Sequence, residues 1–286
     1  MKRALLIVTA SMLVAPSVRA TDPFEIQVYD GTANDPWQPG LELHINHVAS
    51  GTSQPDPPVA APDHQSHFTL EPSLGLTPFW ELGAYLQTAI VPDSGFQWAG
   101  SKLRSKFVTP PTWHPHLRLG ANIELSLVPQ RFDKSRWGTE LRPIVAWEDE
   151  RFLFAFNANV STSLAGEDAK HGPEFEPAAM AVVKIAGLVS AGLEHYAGLG
   201  PFSGFLPIDK QEHYLYEVAN LLAFDALELN VGVGEGLTAE SNKIVVKMIV
   251  GYAFDTTLGG SATWTRVRTG PRGVFARRPR GRSLFF

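Results

Sequence analysis

Charged and polar side chains recur at every second position inside otherwise apolar runs of this chain. Glu42 and His44 alternate with Leu41, Leu43 and Ile45. His67 and Glu71 alternate with Phe68 and Leu70, and Arg118 and Glu124 with Leu117, Leu119, Ile123 and Leu125. Glu81, Glu140, Arg142, Lys184, Glu228 and Lys247 stand in similar settings. Residues two apart in an extended chain share a face, so these twelve side chains are candidates to line one interior. Charges crowded into a narrow lumen must pair across strands, because an isolated charge there is costly. Two readings use the same residues: an ion lattice that fills the lumen and holds its shape, or a charged constriction that selects solutes by sign.

Histidine invites a metal reading. His44 near Glu42 and His67 near Glu71 fall in neighbouring segments and offer ligands that divalent metals accept. The pairs His64/His67 and His114/His116 add to the set. No two histidines have the i, i+4 spacing of a helix-borne site, however, and hydrogen bonding within a lumen accounts for them as well. No metal site and no cofactor is expected.

What must position these residues is a set of long strands. From residue 40 onward period-two alternation recurs in about twelve segments: 41–50, 66–76, 79–91, 95–108, 117–128, 137–147, 150–165, 174–185, 187–199, 212–222, 225–236 and 243–254. Alternation in the fourth breaks near Lys102, as a β-bulge would make it. In "KIVVKMIVGYAF" (243–254) the even positions are apolar and end on Tyr252 and Phe254, while Lys247 falls on the odd face. The links alternate between long (51–65, 129–136, 166–173, 200–211, 237–242) and short (77–78, 148–149, 186, 224–225). Two are exceptions, 109–116 and "PDSG". Short turns at one end and long loops at the other are the habit of a transmembrane β-barrel. Strands of about 10–14 residues suit a tilted bilayer crossing better than a soluble sandwich, whose strands are nearer five or six.

The rest of the chain fits export. The sequence carries 24 Lys and Arg against 29 Asp and Glu, a net charge of -5, too mild to suggest nucleic acid. Cysteine is absent, which excludes disulfides, thiolate metal sites and thiol nucleophiles. Residues 1–20, "MKRALLIVTASMLVAPSVRA", have a basic start, a short apolar stretch and Val18-Arg19-Ala20 at the end, the features of a cleavable signal peptide. Segment 21–40 contains "FEIQVYD", which alternates but is isolated by Asn34, Asp35, Pro36, Pro39 and Gly40. It reads as a periplasmic lead-in or as a short plug in the barrel mouth. Residues 41–254 make the barrel, and 255–286 form an Arg-rich, Gly/Pro-punctuated tail expected to be disordered.

The leader, the alternating strands and the aromatic-ended strand resemble outer-membrane β-barrel proteins of Gram-negative bacteria, closest to small, poorly characterised, transporter-like barrels. The likeness covers most of 24–254 and is architectural. It implies an all-β, antiparallel, up-and-down transmembrane barrel of about 12 strands in the outer membrane, with lipid and the barrel assembly machinery as partners. In that family the last strand usually ends the chain, whereas here 32 residues follow Phe254. Some twelve-stranded outer-membrane barrels hydrolyse lipids with a strand-borne His and Ser two residues apart on the lipid side. Here Ser66 and His67 are adjacent and face opposite ways, and no G-x-S-x-G elbow exists, so the chain is not read as an enzyme. The expected role is a passive channel or uptake route for an unknown small solute. The alternatives are a sealed structural or interaction barrel and an outer-membrane lipid-modifying enzyme. Loop 200–211, with Phe202, Phe205 and Leu206, suits folding inward as a constriction or packing on the barrel rim.

Overall fold

The computed structural model describes residues 21–254 apart from 167, 187–188 and 224–226. The leader (1–20) and the basic tail (255–286) lie outside the described residues. The strands are β1 (Pro39–Ser50), β2 (Ser66–Thr77), β3 (Trp80–Val91), β4 (Gly95–Val108), β5 (Leu117–Leu127), β6 (Trp137–Glu148), β7 (Phe152–Asn157) and β8 (Val160–Ser163). They continue as β9 (Glu174–Phe175), β10 (Ala178–Ala186), β11 (Val189–Gly198), β12 (Gly200–Pro201), β13 (Glu212–Ala223), β14 (Leu227–Gly236) and β15 (Ile244–Ala253). Three pairs, β7/β8, β9/β10 and β11/β12, run end to end, so the strands form twelve staves of one closed antiparallel barrel. The seam closes where β1 meets β15, with Gly40 opposite Ala253 and His44 opposite Ile249.

Alternation decides the two faces. In β15 Val245, Lys247 and Ile249 are buried inside, while Val246 and Tyr252 are exposed on the outer wall. The outer wall carries exposed aromatics at two levels. Phe107, Trp147, Phe152, Tyr252 and Phe254 stand near the short-turn end, and Phe96, Trp98 and Trp137 near the loop end. Leu82, Leu86, Leu103, Ile123 and Leu141 are exposed between them. An apolar band between two aromatic girdles is the surface a bilayer requires.

Departures from regular strands have local causes. The bulge lies at Ala99: Gln87 pairs with Gly100 and Thr88 with Trp98, leaving Ala99 without a partner. Gly100 has φ 148°, which a residue with a Cβ rarely adopts. The extra residue shifts the phase of β4, so Lys102, Arg104 and Lys106 all point inward. The segments 150–165 and 174–185 are each interrupted, between Asn157 and Val160 and between Phe175 and Ala178. Pro143 of β6 and Pro177 flank that level, and neither has an N–H to donate to the ladder. They act as acceptors instead, from Ala158 (3.0 Å) and Ala197 (3.0 Å).

The two exceptional links are also settled locally. Segment 92–94 is a tight turn with Asp93 in the left-handed region (φ 59°). In 109–116 the His114 ring accepts from the amides of His116 (3.1 Å) and Leu117 (2.8 Å). In the turn before β7, the amides of Phe152 and Arg151 donate to Asp149 and hold its carboxyl below the ordinary value.

Glycines on the inner face make room for large neighbours. Tyr216 of β13 sits directly across from Gly234 of β14, and a Cβ at Gly234 would stand 2.3 Å from its ring. Gly234→Val should therefore displace a fully buried tyrosine and cost about 1–3 kcal/mol. The expected result is a lower unfolding midpoint of the refolded barrel, with Gly234→Ala intermediate.

Candidate functional site

The lumen is occupied by the chain's own N-terminal segment. Residues 22–37 run through it as irregular extended chain, from the loop end to the turn end. At the loop end Phe24 packs edge-on against His67 (4.6 Å) and Phe132 (5.7 Å). At the turn end the Trp37 amide donates to the Gly75 carbonyl (2.6 Å). The alternation of "FEIQVYD" serves a lumen with two unlike walls. Ile26 and Val28 join an apolar cluster with Leu153, Val182, Tyr196, Tyr216 and Val218. Glu25 and Tyr29 turn to the charged wall built by β2–β6.

Without a neighbouring strand, the segment finds its hydrogen bonds in wall side chains. Asn46 donates to the Pro23 carbonyl (2.9 Å), Thr69 to that of Phe24 (2.8 Å) and Lys247 to that of Ile26 (3.1 Å). Asn157 takes both groups of Tyr29, accepting from its N–H (2.7 Å) and donating to its carbonyl (2.8 Å). Arg118 donates to the Asp30 carbonyl (2.7 Å), and the Asn34 amide donates to Glu81 (2.6 Å). These partners come from β1, β2, β3, β5, β7 and β15, so the contacts tie the segment to most of the circumference.

The charged wall is a connected lattice. Lys102 bridges Asp22 (2.5 Å), Glu124 (3.0 Å) and Glu25 (3.6 Å). Arg142 binds Glu140 (2.7 Å) and Glu25 (3.5 Å). Arg104 joins Glu71 (2.6 Å) to Glu81 (2.9 Å), and Lys106 adds to Glu81 (3.0 Å). The Tyr29 ring sits among three of these cations, with Arg142 4.4 Å, Lys106 5.2 Å and Arg104 5.8 Å from its centroid. Its hydroxyl donates to Glu25 (2.7 Å) and lies 2.8 Å from that of Tyr85. Across the lumen Lys247 pairs with Glu194 (2.5 Å). Nearer the turn end Arg118 bridges Glu148 (2.5 Å) and Asp30 (3.3 Å), and Lys184 also reaches Glu148.

Of the twelve candidate lining residues, Glu42, His44, His67, Glu71, Glu81, Glu124, Arg142 and Lys247 are buried on the inner face. Arg118, Glu140 and Lys184 are partly open on the same face. Glu228 borders a cavity of ≈ 70 Å³ beside the segment. The sequence reading passed over Lys102, Arg104 and Lys106, although K-x-R-x-K at spacing two marks one face. It also missed Glu194 in a small-residue strand, and Glu25 and Tyr29 of the segment itself.

Loop 200–211 does not constrict the lumen. Phe202 and Phe205 are 54% and 52% exposed and pack on Phe175 at the rim (5.3 and 6.2 Å), while Leu206 caps Gly200. Phe175 follows the inward Glu174 and faces out, and the aromatic residues of the loop follow it.

Two further groupings have chemical potential. Glu42, His44 and Glu71 bring ligand-type atoms within 4.8 Å of one another, but the Arg104 guanidinium already sits on Glu71, so a metal ion would have to compete with it. On the outer wall His47 Nδ1 lies 2.9 Å from Ser66 Oγ, cross-strand partners in β1 and β2. Among the described residues no carboxylate or amide orients that imidazole, which a nucleophile–base pair requires.

Fold and lumen together define a closed, charge-lined barrel of the outer-membrane type. No protein-family model matches the chain, and no curated protein resembles it in sequence. Solved structures do. The COG4313 outer membrane channel from Pseudomonas putida F1 superposes with a TM-score of 0.54 at 14% identity, covering 80% of this chain and 100% of that one. KdgM porin superposes at 0.52 and 9% identity, covering 75% and 99%. KdgM porin in complex with disordered oligogalacturonate gives 0.50 at 8% identity, with the same coverage. At these identities the likeness is one of fold.

Removing a cation from the lattice should leave its buried carboxylates undercompensated. Arg104→Ala leaves Glu71 and Glu81 short of a buried partner and is expected to cost about 3–5 kcal/mol in urea unfolding of the refolded protein. Adding Glu71→Gln in the same chain should recover part of that loss.

Proposed function

We propose that the protein is a Gram-negative outer-membrane channel for a small solute, held shut by its own N-terminal segment. The observation that carries this reading is the seating of residues 22–37. They lie inside a bore lined by ionic side chains, and from Pro23 to Asn34 their main-chain groups bond to wall side chains rather than to a β-ladder. Side-chain partners such as Lys247, Arg118 and Asn46 can re-pair with water, so the segment can leave while the wall stays intact. The likeness of fold to outer-membrane channels supports the same reading. Solutes would pass along the charged wall once the segment withdraws, and the cations of β4 would face the path.

A sealed barrel is the second reading, and the filled lumen favours it. The two separate by conductance. In a planar bilayer the refolded protein should be silent or open rarely, and a form lacking residues 21–37 should open in discrete steps. Asn157→Ala, which removes both bonds to Tyr29 while keeping the whole segment, should raise the frequency of openings without changing the size of the largest step. A deletion form that is folded and silent would overturn the channel reading in favour of the sealed barrel.

A further inference from the structure

The mouth at the loop end is acidic beyond what the lattice needs. A cavity of ≈ 170 Å³ lies above the N-terminal segment, between Thr21 and the inner faces of β6, β8 and β9. Its one lysine, Lys102, is already bridged to Asp22, Glu25 and Glu124. Five other carboxylates border it; Glu140 is bound by Arg142, which leaves Asp133, Asp168, Glu174 and Glu176. Among the described residues none of these four has a lysine or arginine partner. Glu176 accepts from Ser161 Oγ (2.7 Å), Asp133 from the Ser135 amide (2.8 Å), and His171 lies 3.8 Å from Asp168. A second observation is independent of the charges. Gln87, 1% exposed, lines the same cavity with neither its amide nitrogen nor its amide oxygen hydrogen-bonded. A buried amide left that way is a cost that a ligand's polar groups would remove.

We propose that this mouth is a binding site for a primary ammonium group. A single metal ion is the poorer fit. Among the described residues the Glu42, His44 and Glu71 trio is the one group of three ligand atoms within 4.8 Å of one another, so the mouth's carboxylates do not close on one ion. They surround a space instead, with serine and threonine hydroxyls between them, which suits an N–H-rich cation making several charge-assisted bonds. Two sources can supply the ammonium. One is a small organic amine entering from the loop side, which makes the mouth the first selective station of the proposed channel and rests on that reading. The other is internal. Removal of residues 1–20 as a leader creates the α-ammonium of Thr21 at this cavity, where it would anchor the upper end of the segment.

Calorimetry on the refolded chain 21–286 tests the site without any conductance measurement. Spermidine is the probe, and Mg2+ and galacturonate at matched ionic strength are the controls. The Nα-acetylated protein should bind spermidine, and Glu174→Gln combined with Glu176→Gln should weaken that binding by about tenfold or more. Weaker binding to the free-amine form than to the acetylated form identifies the Thr21 ammonium as the resident group, and equal binding identifies an outside amine. Either outcome upholds the ammonium site. No binding to the acetylated form, binding indifferent to the two substitutions, or equal displacement by Mg2+ overturns it. A barrel that binds spermidine yet never conducts would contradict only the channel reading.

Discussion

An extended segment inside a β-barrel has no strand beside it, and its main-chain N–H and C=O groups must still be satisfied. The organisation of this lumen follows from that constraint. Asn46, Thr69, Glu81, Arg118, Asn157 and Lys247 each point inward and each holds a main-chain group of residues 23–34. An apolar lumen would offer no such partners, and a lumen closed by a ladder would fix the segment as another strand. The wall therefore carries polar residues on its inner face for a structural reason, before any solute is considered.

The charges follow from the same requirement. Once Lys102, Arg104, Lys106 and Arg142 stand buried in the interior they require carboxylates at contact distance. Those come partly from the wall (Glu71, Glu81, Glu124, Glu140) and partly from the segment (Asp22, Glu25). The segment thus both fills the bore and supplies counter-ions, while Glu124 and Glu140 give Lys102 and Arg142 partners within the wall itself. Each of these two cations has one partner that belongs to the barrel and at least one that belongs to the segment.

Much of this was legible in the sequence, and the limits were physical. Period-two alternation marked the strands because a bilayer outside and a packed lumen inside enforce opposite polarities on alternate residues, as in Arg118–Leu125 and Lys247–Tyr252. It located the bulge only near Lys102, since one extra residue at Ala99 disturbs the pattern across several positions, and the basic face of β4 was lost with it. The breaks at Pro143 and Pro177 need the strand register, because the prolines act on neighbours distant in sequence. The partner of Lys247 was hidden for the same reason: Glu194 lies 53 residues away, in a strand weakened by glycine and alanine. Residues 24–30 alternate like a strand because they lie between an apolar and a charged wall, and the sequence alone cannot say that those walls belong to the inside of a barrel. The aromatics of loop 200–211 could serve lumen or rim, and Phe175, facing out, takes them to the rim.

The most direct test of the account is hydrogen–deuterium exchange across residues 24–34 in the refolded barrel, read against the exposed stretch 53–56 of the first long loop. Tyr29 and Asn34 donate their amides to Asn157 and Glu81 deep in the lumen, so their exchange should be slower than that of the loop by orders of magnitude. Exchange of both amides at the loop's rate would mean that the segment does not reside in the bore, and the plugged-barrel account would fall.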